Sequence, residues 1–241
     1  MDSQKRLART AGLYYLVVAV LGAFAHIVRA LIYVPGDAAT TAENVVTDAS
    51  LVNYSFVADL VQATFLVFTV MTLYRLLHHA GKNVARAMVI FVVIAVAIIC
   101  LNMVHQLGAL LVATDPSYAA AFGTQGSQAM VLLLLDLQHN GYLIAQIFFG
   151  LWLFPLGLLA IRSRLFPRLL GQLLMAATVG YLLDVALQFL APELAATVNP
   201  VLVTLFVVCE GWMLFYLLIR GVRTIRPAEQ GDPLGVNSAT H

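Results

Sequence analysis

The sequence predicts an all-α integral membrane protein, a six-transmembrane-helix bundle with N and C termini cytoplasmic. Three observations carry this expectation. Of 241 residues, 61% are hydrophobic and only 10% charged, against about a quarter charged in an ordinary soluble domain. Six apolar stretches are each long enough for a helix to cross about 30 Å of hydrocarbon, which takes about 20 residues. The basic residues between them alternate sides along the chain.

The first span is read over residues 10–33, the second over 52–77, the third over 86–113, the fourth over 129–161, the fifth over 168–190 and the sixth over 199–220. Continuous apolar runs without period-2 alternation exclude a transmembrane barrel. The fourth stretch is too long for the bilayer at about 1.5 Å per residue. It either starts above the membrane or bends, with Gly141 and Pro155 the expected places. Lys5, Arg6 and Arg9 precede the first span, and Arg75, Lys82 and Arg86 separate the second from the third. Arg162, Arg164 and Arg168 separate the fourth from the fifth, and Arg220, Arg223 and Arg226 follow the sixth. The opposite loops carry Asp37, Glu43, Asp48, Asp115 and Glu193 with no Lys or Arg. One competing reading is a signal peptide cleaved near Ala23-Phe24-Ala25, which leaves five spans and the same later topology.

Residues 1–226 read as one transmembrane domain and 227–241 as a disordered cytoplasmic tail rich in Gly, Pro and polar residues. In the external loops, Asp37 is placed to cap a helix over Ala38–Asp48, and Asp115-Pro116 to start one over Ser117–Phe122. Cys100 and Cys209 lie in apolar runs and read as small buried hydrophobes. No repeat marks an inverted-repeat transporter. Low charge excludes disorder, and a formal net charge of +1 without a basic arm excludes nucleic acid as a partner. The expected partner is the lipid bilayer; oligomeric state has no sequence signal.

Charges inside a bilayer are costly, so they usually face protein and mark function. Every span has at least one ionisable residue: His26 and Arg29 in the first, Asp59 in the second, His105 in the third, Asp136 and His139 in the fourth, Asp184 in the fifth and Glu210 in the sixth. All eight fall at mid-depth or in the outer half. Helical spacing extends them into stripes: Tyr15, Gly22, His26 and Arg29; Ser55, Asp59, Gln62 and Thr69; Asn102, His105 and Gln106; Asp136, His139, Asn140 and Gln146; Tyr181, Asp184 and Gln188. Turned inward, the stripes line a polar cavity open to the outside, with these eight residues as its ligand-binding set.

One arginine meets four carboxylates there, an imbalance that low dielectric does not tolerate. Protons on the carboxylates, protonated histidines or a bound metal cation each resolve it. His26, His105, His139 and Asp136 form the candidate metal set, suited to a divalent transition metal. Asp136-x-x-His139 has the spacing of carboxylate-bundle metal sites, though in a single copy. Haem held by two of the three histidines is the weaker reading, since nothing else marks a haem site. Taken singly, each residue has a structural reading: Arg29 snorkelling to headgroups, His105 bonding between helices, Asp184 and Glu210 bonded to each other. His78 and His79 lie on the cytoplasmic side and read as solvated. No motif for a zinc peptidase, serine hydrolase or phosphate loop is present.

Asp136-Leu-Gln-His139-Asn140-Gly141-Tyr142 followed by Phe148-Phe149-Gly150-Leu151 resembles the signature of the DUF4386 family. So do Arg162-Ser163 leading to Pro167-Arg168-Leu169-Leu170-Gly171, Gly180-Tyr181-Leu182, and, near the start, Arg6-Leu7-Ala8, Gly12-Leu13-Tyr14-Tyr15-Leu16 and Pro35-Gly36-Asp37-Ala38-Ala39. The resemblance spans most of residues 5–223. It implies a multi-span, mostly bacterial membrane protein without an established activity. The expected location is therefore the bacterial cytoplasmic membrane. The leading expectation is binding or movement of a small polar or cationic ligand; the alternatives are an intramembrane metal-dependent enzyme and a structural or assembly subunit with no ligand.

Overall fold

The structure is a computed structural model and describes residues 2–223. The stretch 227–241, expected as a tail, lies outside the described residues. Eight helices are present: α1 (Asp2–Ile32), α2 (Ala38–Thr47), α3 (Ala49–Leu77), α4 (Lys82–Thr114), α5 (Pro116–Leu151), α6 (Leu153–Ser163), α7 (Arg168–Leu190) and α8 (Pro192–Phe215). A 3-10 turn, His78–Ala80, follows α3, and a π-helical turn, Tyr216–Arg220, ends α8. No strand occurs among the described residues. The chain is an all-α membrane protein with six segments long and apolar enough to span: Ser3–Ile32, Ala49–Ala80, Lys82–Thr114, Pro116–Ser163, Arg168–Leu190 and Pro192–Arg220. The six long apolar segments cover the expected runs, except that α1 stops at Ile32, one residue short of the expected 33, and the fourth run is shared between α5 and α6. Helices outlast the runs because hydrogen bonding continues into polar flanks beyond the hydrocarbon.

The fourth span is broken, but not at Gly141. Gly123 has φ +72° and ψ 164°, which ends a first short helix at the loop. A second break falls at Trp152, between α5 and α6. Pro155, in the first turn of α6, has no N–H to continue the α5 ladder, so the interruption just before it follows from the sequence. Gly141 is helical and is a close-approach site instead: a Cβ there would lie 2.2 Å from Asn102 Oδ1.

Helix neighbours run α1–α3–α4–α5–α7–α8, with α6 packed on α7 and reaching α4 and α3. The end that carries the Lys and Arg clusters is hereafter the basic end, and the other the acidic end. The basic half is tightly filled: Trp152, Leu156 and Leu159 meet Leu73, Leu77, Met88, Leu174 and Met213, all buried. A smaller cluster at the acidic end joins Val28 and Ile32 to Val45 of α2, Val52, Ala109 and Leu135. In lipid such contacts act through close packing rather than through expulsion of water. Glycines permit the closest approaches. A Cβ on Gly157 would lie 2.4 Å from the Gly171 carbonyl oxygen, whereas one on Gly22 would meet the movable end of Gln62. Gly157→Ala is therefore expected to destabilise by about 2 kcal/mol, the range of overpacking against fixed atoms, and Gly22→Ala by less. Reversible unfolding in mixed micelles checks the order.

The loop expectations hold in part. Asp37 caps α2, accepting from Thr40 N at 3.0 Å and Thr40 Oγ1 at 2.7 Å. Asp115 accepts from Ser117 N at 2.9 Å at the start of α5. These donors hold both carboxyls below the usual carboxylate range, Asp37 chiefly through the Thr40 amide and Asp115 chiefly through that of Ser117. The stabilisation is thus present above the ordinary aspartate pKa and fades as pH falls through the lowered folded values. Amide exchange in the first turn of α2 is expected to quicken, relative to α3, when the pH is taken into that range; Asp37→Ala abolishes the pH dependence. Cys209 is buried, but Cys100 is exposed on the outside of α4, so only one of the two cysteines is a core hydrophobe.

Candidate functional site

The structure places six of the eight ionisable residues in separate hydrogen-bonded groups and leaves His26 and His139 outside them. Arg29 of α1 pairs with Asp59 of α3. Asp59 is 1% exposed and the Arg29 side chain 17%. Small Gly22, about two turns nearer the basic end, lets α3 approach α1 closely enough for the pair to form. Arg29 also lies over the Tyr142 ring of α5, 5.2 Å from its centroid. Such a ring face attracts a cation by its quadrupole. Asp59 Oδ1 is buried and has no hydrogen-bond partner. Nearby, a cavity of about 20 Å³ is bordered by Arg29, Tyr33, Ser55, Gln106 and Gln138. That is room for a single water molecule.

Asp136 accepts from Tyr33 Oη at 2.5 Å, and the Tyr33 ring stacks on His139 at 5.7 Å. His26 and His139 are both exposed. His105 faces its own helix, with Nδ1 3.2 Å from the Asn102 carbonyl and from Asn102 Oδ1. A chain of amides crosses the bundle beside it: Asn102 donates to the Gln138 carbonyl at 2.7 Å, Gln138 to Gln106 Oε1 at 2.7 Å, and Gln106 to Ser55 Oγ at 2.9 Å. Among the described residues no three His, Cys, Asp or Glu side chains are grouped so as to hold a metal ion. His26, His105, His139 and Asp136 are thus not gathered into one coordination set.

Asp184 and Glu210 do not bond each other. Asp184, 1% exposed, accepts from Gln146 of α5 at 2.7 Å and from Asn199 of α8 at 2.9 Å. Glu210 accepts from Tyr15 of α1 at 2.5 Å and Tyr181 of α7 at 2.7 Å. Neither carboxylate has a cationic partner among the described residues. The reason is register: three residues rise about 4.5 Å along a helix, so Asp184 stands about a turn above Tyr181, which takes the level of Glu210.

Some of these links join helices whose backbones do not touch. Among the described residues no Cα of α1 comes within 8 Å of one in α5 or α7, nor any Cα of α5 within 8 Å of one in α8. The Arg29 side chain, over the Tyr142 ring, bridges α1 and α5. Tyr33, Tyr142, Gln138 and Asn199 belong to these groups and were not in the stripes read from sequence. Tyr142 had a usable signal, lying three residues after His139 and four before Gln146 on one helical face. Asn140, expected on that face, instead donates to the Asp136 carbonyl of its own helix at 2.8 Å.

No curated protein and no solved structure matches the chain. A family model does, that of a domain of unknown function, over residues 10–221. That match covers nearly the whole bundle, including both uncompensated carboxylates and the Arg29–Asp59 pair, and the chain belongs to the DUF4386 family.

Proposed function

We propose that the protein binds or moves a small cationic ligand in the polar groove between α1, α5, α7 and α8, opening at the acidic end, which is the outer face of a bacterial cytoplasmic membrane. The observation that carries this reading is that Asp184 and Glu210 stand at bilayer depth with only neutral donors against them. An ionised carboxylate in such surroundings is stabilised by an added cation. The basic clusters at the opposite end support a cytoplasmic placement of that end. Tyr142 supports cation recognition, since its ring already receives a guanidinium.

A packing role is the competing reading, favoured by the complete pairing of both carboxylates with neutral groups. Binding of n-butylammonium to the purified full chain in nanodiscs separates the two. Saturable binding that falls at least about tenfold in Asp184→Asn and Glu210→Gln is expected, the loss of charged hydrogen bonds. Butylammonium that does not bind, or binds equally to both variants, overturns the cation reading.

A further inference from the structure

α1 presents two exposed faces. Leu13, Val20, Phe24, Ile27 and Leu31 form a face of large apolar side chains, as lipid contact requires. Ala19, Ala23, His26 and Ala30 are also exposed, spaced by 4, 3 and 4, and form a second face of small residues broken by one imidazole. Helix order places α8 as the other neighbour of α1. Their links lie toward the basic end: Gly12 packs against Leu217 and Leu218 of the π-helical turn, and Tyr15 reaches Glu210. Beyond Tyr15 the small face of α1 has no covering helix.

On α8, Asn199, Val203 and Glu210 share one helical face. Val203 is 44% exposed, while Asn199 and Glu210 make the groove contacts already described. The space between α1 and α8 is thus bordered by Ala19, Ala23, Ala30 and Val203, with the His26 imidazole among them and Glu210 at its base. Polar walls would suit a water-filled path. Alanine and valine walls at bilayer depth suit a hydrocarbon chain instead.

We propose that this slot admits an amphiphile with an ammonium headgroup sideways from the bilayer, the ammonium reaching Asp184 and Glu210 while its chain stays between α1 and α8. The proposal rests on the cation reading above and names the ligand class. Two features select the head and the tail: two carboxylates with no cationic partner among the described residues, and a lateral wall of alanines and Val203 interrupted only by the His26 imidazole. A dianionic or neutral head gains nothing from the first, and a short soluble amine gains nothing from the second.

The test uses the full chain in phosphatidylglycerol vesicles, whose lipids carry no ammonium. Stearylamine spin-labelled on its chain is compared with the matching stearyl alcohol by electron paramagnetic resonance. A motionally restricted fraction larger for the amine is expected, shrinking severalfold in Glu210→Gln and in Asp184→Asn. Ala23→Phe fills the slot wall without touching a carboxylate, and is expected to reduce the same fraction while n-butylammonium binding persists. Equal restriction of amine and alcohol overturns the proposal, as does an amine excess indifferent to Ala23→Phe. If butylammonium binds yet the amine shows no excess, lateral access fails and the groove survives; if neither is held, both fail.

Discussion

Arg29→Leu is expected to destabilise the folded bundle by about 3 kcal/mol or more, the cost of leaving one member of a buried ion pair alone. Asp59 is the member left behind. It is almost wholly buried, and one of its oxygens already lacks a partner. Arg29 supplies its charge compensation and, through the Tyr142 ring, ties α1 to α5 across a gap their backbones do not close. The double variant Arg29→Leu/Asp59→Leu removes both charges and is expected to recover most of the loss, because an apolar pair of similar volume avoids the desolvation that an ion pair incurs. Unfolding free energies of the four proteins, measured reversibly in micelles, give the coupling directly. A single variant as stable as the parent shows that Arg29 leaves Asp59 for the headgroups, the snorkelling arrangement.

The bundle was legible in the sequence because a bilayer leaves few options: apolar length sets the spans, and every backbone group must be satisfied within its own helix. The exact helix ends were less legible, since Pro192 begins α8 well before the apolar run at 199. The bend in the fourth span was expected from its length, but its position depends on positive φ at Gly123 and on the missing N–H of Pro155, while the more central Gly141 serves Asn102. The identities of the ionisable residues and most of their faces were readable from spacing. Their pairing was not. Pairing depends on which helices are neighbours and at what height, so Tyr33, from a loop, reaches Asp136 more than a hundred residues away, and Asn199 rather than Glu210 meets Asp184. Tyrosine was the least visible contributor: it counts toward apolar composition, yet its hydroxyl makes three of the six side-chain hydrogen bonds to the carboxylates of the spans.

Glu210→Leu is expected to be the second large effect, and it separates architecture from chemistry when set beside Glu210→Gln. Leucine leaves the hydroxyls of Tyr15 and Tyr181 without their acceptor. Each buried orphan costs about 1–3 kcal/mol, so a loss of roughly 2–4 kcal/mol is expected after partial relaxation. It also removes a hydrogen bond between α1 and α8. Adding Tyr15→Phe and Tyr181→Phe to Glu210→Leu is expected to restore much of the stability, since the donors vanish with the acceptor. Glutamine keeps the shape and one carbonyl acceptor, and the second tyrosine hydroxyl can accept from its amide, so Glu210→Gln is expected to lose less than about 1 kcal/mol. Charge is what glutamine lacks. A protein in which glutamine is stable but no longer binds n-butylammonium uses Glu210 for its charge; one in which glutamine is stable and fully competent uses it only to fasten helices. Wild-type stability in Glu210→Leu would mean that the two tyrosine hydroxyls find water, and that the surroundings of Glu210 are wetter than their packing indicates.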